Sequence, residues 1–185
     1  MIVFVEFFGL PGAGKSTLSQ ELTDRLPDRI GKEFEYSASV LWDDRWKWGR
    51  RLNKARLVLQ NSLGGKHGPL IRNALRVKQS SKTNRLHAFF PLATFFSIRS
   101  QFQAKEQSAV FDQGLLQSAF SLVYSAVDEN EAKAAIAKLI DWTVESDQLH
   151  IIVETAPEIC RSRLEQRIDN HSRLGSDDTE NWDKS

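Results

Sequence analysis

The sequence predicts an α/β fold, a parallel β-sheet core flanked by helices, with a mainly helical basic insertion. Three observations carry this. Short apolar runs rich in aromatic and β-branched residues alternate with helical patterns, which is the order of strands joined by helical crossovers. A glycine-rich loop separates the first run from the first helix. Residues 45–105 hold 14 Lys and Arg and no Asp or Glu, so one internal block differs in kind from its surroundings. With 185 residues, 41% hydrophobic and 26% charged, the chain suits one domain with a real core. It is neither a disordered chain nor a disulfide-stapled miniprotein.

The elements follow in order. Residues 2–8 are apolar except for Glu6 and suit a buried strand. Gly9–Gly14 holds three glycines and Pro11 and must be loop. Leu18, Leu22 and Leu26 share one face of a helix from Ser16, with Pro27 expected to stop it. Residues 33–38 read as a second strand. From 50 to 103 the pattern is helical in pieces, with breaks expected at Gly64-Gly65, Gly68-Pro69 and near Pro91. Ala109–Phe111 is a strand ending at Asp112, and Leu115, Ala119 and Val123 mark the next helix. Ala132, Ile136, Leu139 and Ile140 mark another. Leu149–Val153 is strand-like, Pro157 opens a helix through Cys160, Leu164 and Ile168, and 175–185 is a polar tail. All of it reads as one domain, 1–185.

Charge is segregated along the chain. Residues 1–44 carry 4 Lys and Arg against 8 Asp and Glu, and residues 106–185 carry 7 against 16. A 61-residue block without a carboxylate presents a positive field, for an anionic partner or for the acidic remainder of the same protein. The longest apolar run is far short of a membrane span. The single cysteine excludes an intramolecular disulfide. With no basic stretch or cleavage site framing the N-terminal apolar run, the expectation is a soluble cytoplasmic protein with no membrane partner.

The chemistry is concentrated in one stretch. Gly9, Leu10, Pro11, Gly12, Ala13, Gly14, Lys15 and Ser16 fit G-x-x-x-x-G-K-[ST], followed by Thr17, between a strand and a helix. Glycines let successive backbone N–H groups turn inward around phosphate oxygens, and the helix N-terminus adds its dipole. Lys15 would reach the β- and γ-phosphates, and Ser16 would coordinate Mg²⁺. The fold class sharpens to a P-loop NTPase fold, with ATP and Mg²⁺ as expected cofactors. Asp112, at the C-terminal end of a strand, would be a general base or a second Mg²⁺ ligand.

The P-loop class follows by exclusion. A GTP switch needs D-x-x-G and N-K-x-D; Asp112-Gln113-Gly114 is one residue short of the first, and the second is absent. Motor and transporter ATPases usually place Glu after the Walker-B Asp, where Gln113 stands here. A short chain with one P-loop points instead to a small-molecule kinase.

Phe7 to Thr17, the strand ending in Asp112-Gln113-Gly114, and Glu154 to Pro157 with its Arg-rich helix together resemble thymidylate kinase and related nucleoside and nucleotide kinases. The sequence departs from that family in carrying Gln113 after Asp112 where the family has Arg, and Phe8 where it has an acidic residue. The resemblance implies a lid over 157–175, in which Arg163, Arg167 and Arg173 close on the triphosphate. It implies catalytic roles for Lys15, Asp112, Arg167 and Arg163. It implies that the region of Trp42, Trp46 and Trp48 faces the acceptor, with core packing and lid anchoring as the alternative for these three rings, and that Arg99 reaches it. The basic block 45–105 would be the acceptor lobe, with Arg45, Arg50, Arg51 and Arg72 as further candidates. Family members continue past the lid into another helix and strand, so the expectation is a sheet without its last strand or a chain cut short after the lid.

The expected activity is transfer of the γ-phosphoryl group of ATP to a nucleoside, nucleotide or other anionic small molecule. One alternative is a polynucleotide or RNA 5′-hydroxyl kinase that binds nucleic acid through 45–105. Another is a non-catalytic nucleotide-binding switch. A homodimer is compatible with all three.

Overall fold

The computed structural model describes residues 2–31, 33–37, 67–144 and 148–166. Among them, four strands form one parallel sheet: β1 (Phe4–Phe8), β2 (Phe34–Tyr36), β3 (Ser108–Phe111) and β4 (Gln148–Ile152), in the order β2-β3-β1-β4. β1 is central. Phe4 pairs with Ala109 on one side and with Gln148 on the other, and Tyr36 pairs with Val110. The crossover from β1 runs past β3 to β2, and the one from β3 runs the other way past β1 to β4. The C-terminal ends of β1 and β3 therefore border the crevice in which open α/β sheets bind ligands.

Strand periodicity sorts the side chains between two layers. Val5, Phe7, Val110 and Phe34 face α1 (Lys15–Ile30) and pack with its Leu22 and Leu26. Phe4, Ala109 and Phe111 face α3 (Lys82–Ala104) and α4 (Leu115–Tyr124) in the larger core. α2 (Gly68–Arg76) and α5 (Glu129–Val144) pack outside them, and α6 (Pro157–Glu165) follows β4. No helix among the described residues is long and apolar enough to cross a membrane.

Two prolines behave differently from the sequence expectation. α1 runs through Pro27 to Ile30 and ends at Gly31, whose N–H returns to Pro27 O. Pro27 gives up one N–H in the last turn, where little helix remains to be disrupted. α3 likewise continues through Pro91. Pro91 and His87 are both exposed, so the His87 carbonyl that loses its donor faces water. The adjoining Leu92 to Ile98 are buried and hold the helix in place. Ser81 starts this helix by accepting the Asn84 N–H. Gly68-Pro69 is a helix start, with proline in the first turn as its fixed φ allows.

The described part of the basic block, 67–105, is mainly helical and packed into the same core. Arg72, Arg76, Lys78, Lys82 and Arg85 are exposed. Arg99 is the correction. It is 4% exposed, stacks over Phe4 and Trp142 at 4.1 and 4.8 Å, and donates to Gln148 Oε1 at 2.9 Å. Phe4 and Gln148 start β1 and β4, so Arg99 lies at the end of the sheet opposite the glycine-rich loop and does not reach an acceptor there. Its place on the same face as Phe95, Phe96 and Phe102 puts it on the buried stripe. Arg45, Arg50, Arg51, Trp42, Trp46 and Trp48 lie outside the described residues.

Candidate active site

Beyond β1 the chain turns through the loop 9–14 and enters α1 at Lys15. Gly12 and Gly14 have φ of 85° and 98°, a region that L side chains rarely adopt. A Cβ on Gly12 would also lie 2.5 Å from the Cys160 carbonyl, so α6 packs against the loop as only glycine permits. From the same wall, Thr155 Oγ1 donates to Ala13 O at 3.1 Å, and Arg163 Nη1 donates to Gly12 O at 3.2 Å. Gly9, Pro11 and Ala13 thus belong to a loop braced by α6 and the residues that lead into it. Ser16 and Thr17 are exposed in the first turn of α1.

Lys15 is 8% exposed, and its ammonium donates to the carbonyls of Gly9 and Leu10 at 2.6 and 2.8 Å. The cation is folded back over the loop's own mouth. Across the crevice, Ser16 Oγ donates to Asp112 Oδ2 at 2.9 Å. A hydroxyl and a carboxylate this close are the hard oxygen donors that Mg²⁺ takes, with water and phosphate supplying most of its octahedron. No group of three or more His, Cys, Asp or Glu that could hold a metal occurs among the described residues.

Tyr36 is a site residue that sequence reasoning missed. It ends β2, where Ser37 N–H donates to Val110 O, so parallel pairing carries it beside Asp112. Burial raises its hydroxyl to about 12, aided by the neighbouring Asp112 charge, with Ser19 and Ser16 as hydrogen-bonding neighbours. At neutral pH it is a donor beside the carboxylate. Burial also raises the Cys160 thiol, against the pull of Arg163 and Lys15.

A second missed residue supports Asp112 from below. Glu6 is fully buried on β1, accepts the Leu116 N–H at 2.6 Å and the Gln148 side-chain amide at 2.6 Å, and lies 3.3 Å from His150 Nδ1. Leu116 is in the first turn of α4, which has no side-chain cap of its own. Glu6 therefore fastens the turn that carries Asp112. Gly114 makes room for it: a Cβ there would come within 2.5 Å of Glu6 Cγ. Of the other expected site residues, Arg163 joins the loop from α6, whereas Arg167 and Arg173 lie outside the described residues.

Among solved structures, the chain is similar to deoxyadenosine kinase from M. mycoides, in a structure with the products dCMP and dCDP bound. The identity is 18% over 98% of this chain and 78% of that one, with a TM-score of 0.45. No curated protein matches the chain. A family model described as AAA domain matches residues 4–184, almost the whole length. On that match the protein belongs to the AAA domain family, as a divergent P-loop protein of the kinase-like kind that its sequence resembles.

Proposed function

We propose that the protein is an ATP-dependent kinase that transfers the γ-phosphoryl group to a nucleoside, a nucleotide or another anionic small molecule. One observation carries the reading. The Ser16 hydroxyl and the Asp112 carboxylate, 96 residues apart in sequence, meet at 2.9 Å beside a loop lysine. An ordinary strand–helix turn needs no such pair.

In this reading the loop N–H groups and Lys15 hold the donor's phosphates, and Ser16 and Asp112 hold Mg²⁺. When bound, the ion would neutralise charge between phosphate oxygens. To hold the phosphates, Lys15 exchanges the carbonyls of Gly9 and Leu10 for phosphate oxygens. If Asp112 does not hold the ion, its alternative role is to accept the acceptor's hydroxyl proton. Tyr36 donates to Asp112 and helps to hold its carboxylate in place. Arg163, with Arg167 and Arg173 completing the lid, stabilises charge that develops on the transferring group.

The test is transfer from γ-labelled ATP and Mg²⁺ to a panel of nucleosides, nucleotides, sugars and oligonucleotides. Labelled product is expected with a small acceptor, and Lys15→Ala is expected to abolish it together with most ATP binding. Hydrolysis alone, with no acceptor labelled, would sink the kinase reading. Labelling only of oligonucleotides would replace it with the polynucleotide one.

A further inference from the structure

α2 and the first half of α3 carry a surface that the proposed chemistry does not use. Arg72, Arg76, Lys78, Lys82 and Arg85 are all exposed. Residues 67–105 contain no Asp or Glu, and none of the five side chains forms an ion pair among the described residues. Arg72 and Arg76 stand one turn apart on α2. Arg85 joins the two helices, because its Nη2 donates to Leu75 O at 3.1 Å, next to Arg76 in the last turn of α2. Lys78 lies in the short connection, and its N–H donates to Glu131 at 3.2 Å, so the start of α5 is an acidic rim to the patch. Cations gathered in this way without counter-charges raise the local positive potential and draw polyanions.

The same face of α3 also carries apolar side chains. Lys82, Leu86 and Phe90 follow one another at four-residue steps along one ridge, with Leu86 and Phe90 51% and 42% exposed. Phe89 braces the Phe90 ring at 5.5 Å between centroids, so the ring is a held, half-covered plate. The direction of α3 places this face. Arg99 is level with Phe4 and Gln148, which start their strands, and Phe95 lies 5.1 Å from Phe111, which ends β3. Residues 82–94, about 20 Å of helix, continue past that end of the sheet. The patch therefore stands beyond the strands' C-terminal ends and away from Lys15, which is folded onto its own loop.

We propose that this face binds single-stranded nucleic acid, with the cations on its phosphates and an unpaired base stacked on Phe90. The inference goes beyond the kinase reading and does not depend on it. Cations that track a backbone, interleaved with a ring on which a base can lie, are what a single strand requires. Other partners fit less well. A second copy related by a two-fold axis would set the patch against itself, cation facing cation. A membrane needs apolar side chains that reach into the acyl boundary, whereas Leu86 and Phe90 are about half covered by protein. An acidic peptide would satisfy the cations and leave the ring unused, and a duplex keeps its bases in the stack.

Fluorescence anisotropy of the full chain with labelled oligo(U) and oligo(dT) of about 12 nucleotides tests this, the two arms separating RNA from DNA. With about five phosphates neutralised, log affinity should fall against log salt with a slope of about −3.5, a loss of roughly 100-fold between about 50 and 200 mM. Replacing two of the five cations, in Arg76→Gln with Lys82→Gln, should reduce the slope to about −2. Phe90→Ser should weaken binding by about tenfold at every salt concentration with the slope unchanged. Arg25→Gln, which removes an exposed cation of α1, and Lys15→Ala should both bind like the parent, and a non-hydrolysable Mg·ATP analogue should not compete. The proposal is overturned by a slope shallower than about −1, by a double variant that keeps the parental slope, by Phe90→Ser binding like the parent, or by competition from the analogue. It is overturned equally if a duplex, phosphatidylserine vesicles or polyglutamate bind as tightly as the oligonucleotides. The two readings fail separately. An oligonucleotide that binds without being labelled from ATP keeps this surface and leaves the small-molecule kinase as it stands. Transfer to a small acceptor with no oligonucleotide binding removes only the surface.

Discussion

Replacing Glu6 by Gln changes one heavy atom in the centre of the sheet and should be among the more destabilising conservative substitutions in the chain. Glu6 is fully buried and offers acceptors to the Leu116 N–H and the Gln148 amide, both at 2.6 Å. Gln148 passes the connection on, accepting from Arg99 through its other end at 2.9 Å. In Glu6→Gln one oxygen becomes an NH₂ group. If it faces Gln148, donor meets donor; if Gln148 turns over, its NH₂ faces the Arg99 guanidinium instead. Every arrangement leaves a buried donor unpaired, at about 1–3 kcal/mol, and weakens a hydrogen bond to a charged group worth roughly 1.5–3 kcal/mol. Counting the overlap between these effects, about 2–4 kcal/mol of stability should be lost, and at roughly 2–4 °C per kcal/mol the Tm should fall by about 5–15 °C. Urea and thermal unfolding followed by circular dichroism give both quantities. Glu21→Gln is the control. It makes the same chemical change in the exposed Glu21–Arg25 pair and should leave the Tm within error, because solvent screens such pairs. A Glu6→Gln midpoint within about 2 °C of the parent would refute the account of a buried relay from Arg99 to α4.

Four further outcomes follow from the site. Asp112→Asn keeps the volume but loses the charge, and should lower kcat by at least about 10²-fold; near-parental turnover in a folded protein would make Asp112 a turn residue only. Arg163→Ala removes the cation donating to Gly12 O and should lower kcat more than it raises the KM for ATP, the reverse split marking simple ground-state binding. Tyr36 titrates near 12 in the folded state against 10.0 when unperturbed. Its contribution to stability is thus complete below pH 10 and lost as pH rises through about 12, so parent and Tyr36→Phe stability curves should converge or cross there, and parallel curves would contradict it. The Cys160 thiol, buried and raised above its ordinary value, should resist iodoacetamide at neutral pH until urea is added; modification of the native protein would show the loop–α6 contact to be open.

The fold was legible in the sequence where one period dominated. β1, β3 and β4 stand within a few residues of their expected places because short apolar runs bounded by turn residues have few alternatives. α1 and α4 follow from leucine and alanine spacing alone. The prolines misled because their cost is local and their compensation is not. Pro91 removes one hydrogen bond from α3, while Leu92, Phe95, Phe96 and Phe102 are each buried to within 3% of completely. Burial of four such side chains is worth several kcal/mol, and a pattern read one helix at a time contains no term for it. The same limit applies to α2, whose buried Ile71 and Ala74 take their meaning from α3 and α5.

The candidate site divides along the same line. Lys15, Ser16 and the glycines are contiguous, so their chemistry is written in one string, and Asp112 follows from standing at the end of a strand. Tyr36 and Glu6 have no local signature. Tyr36 matters because β2 pairs with β3 so that Tyr36 lies opposite Val110, and Glu6 because the α4 turn descends onto it. Arg99 shows the opposite error. In a block without carboxylates every cation looks turned towards a ligand, yet charge counting discards phase. Arg99 is four residues after Phe95 and three before Phe102, and that spacing already assigns it to the buried face. An arginine there must find its partners in the core, and Gln148, Phe4 and Trp142 are those partners. The positive field of the block therefore comes from side chains such as Arg72, Arg76 and Lys82 on the outward faces of α2 and α3. A reading of charge that kept the helical phase would have separated the two kinds of cation before any coordinates were known.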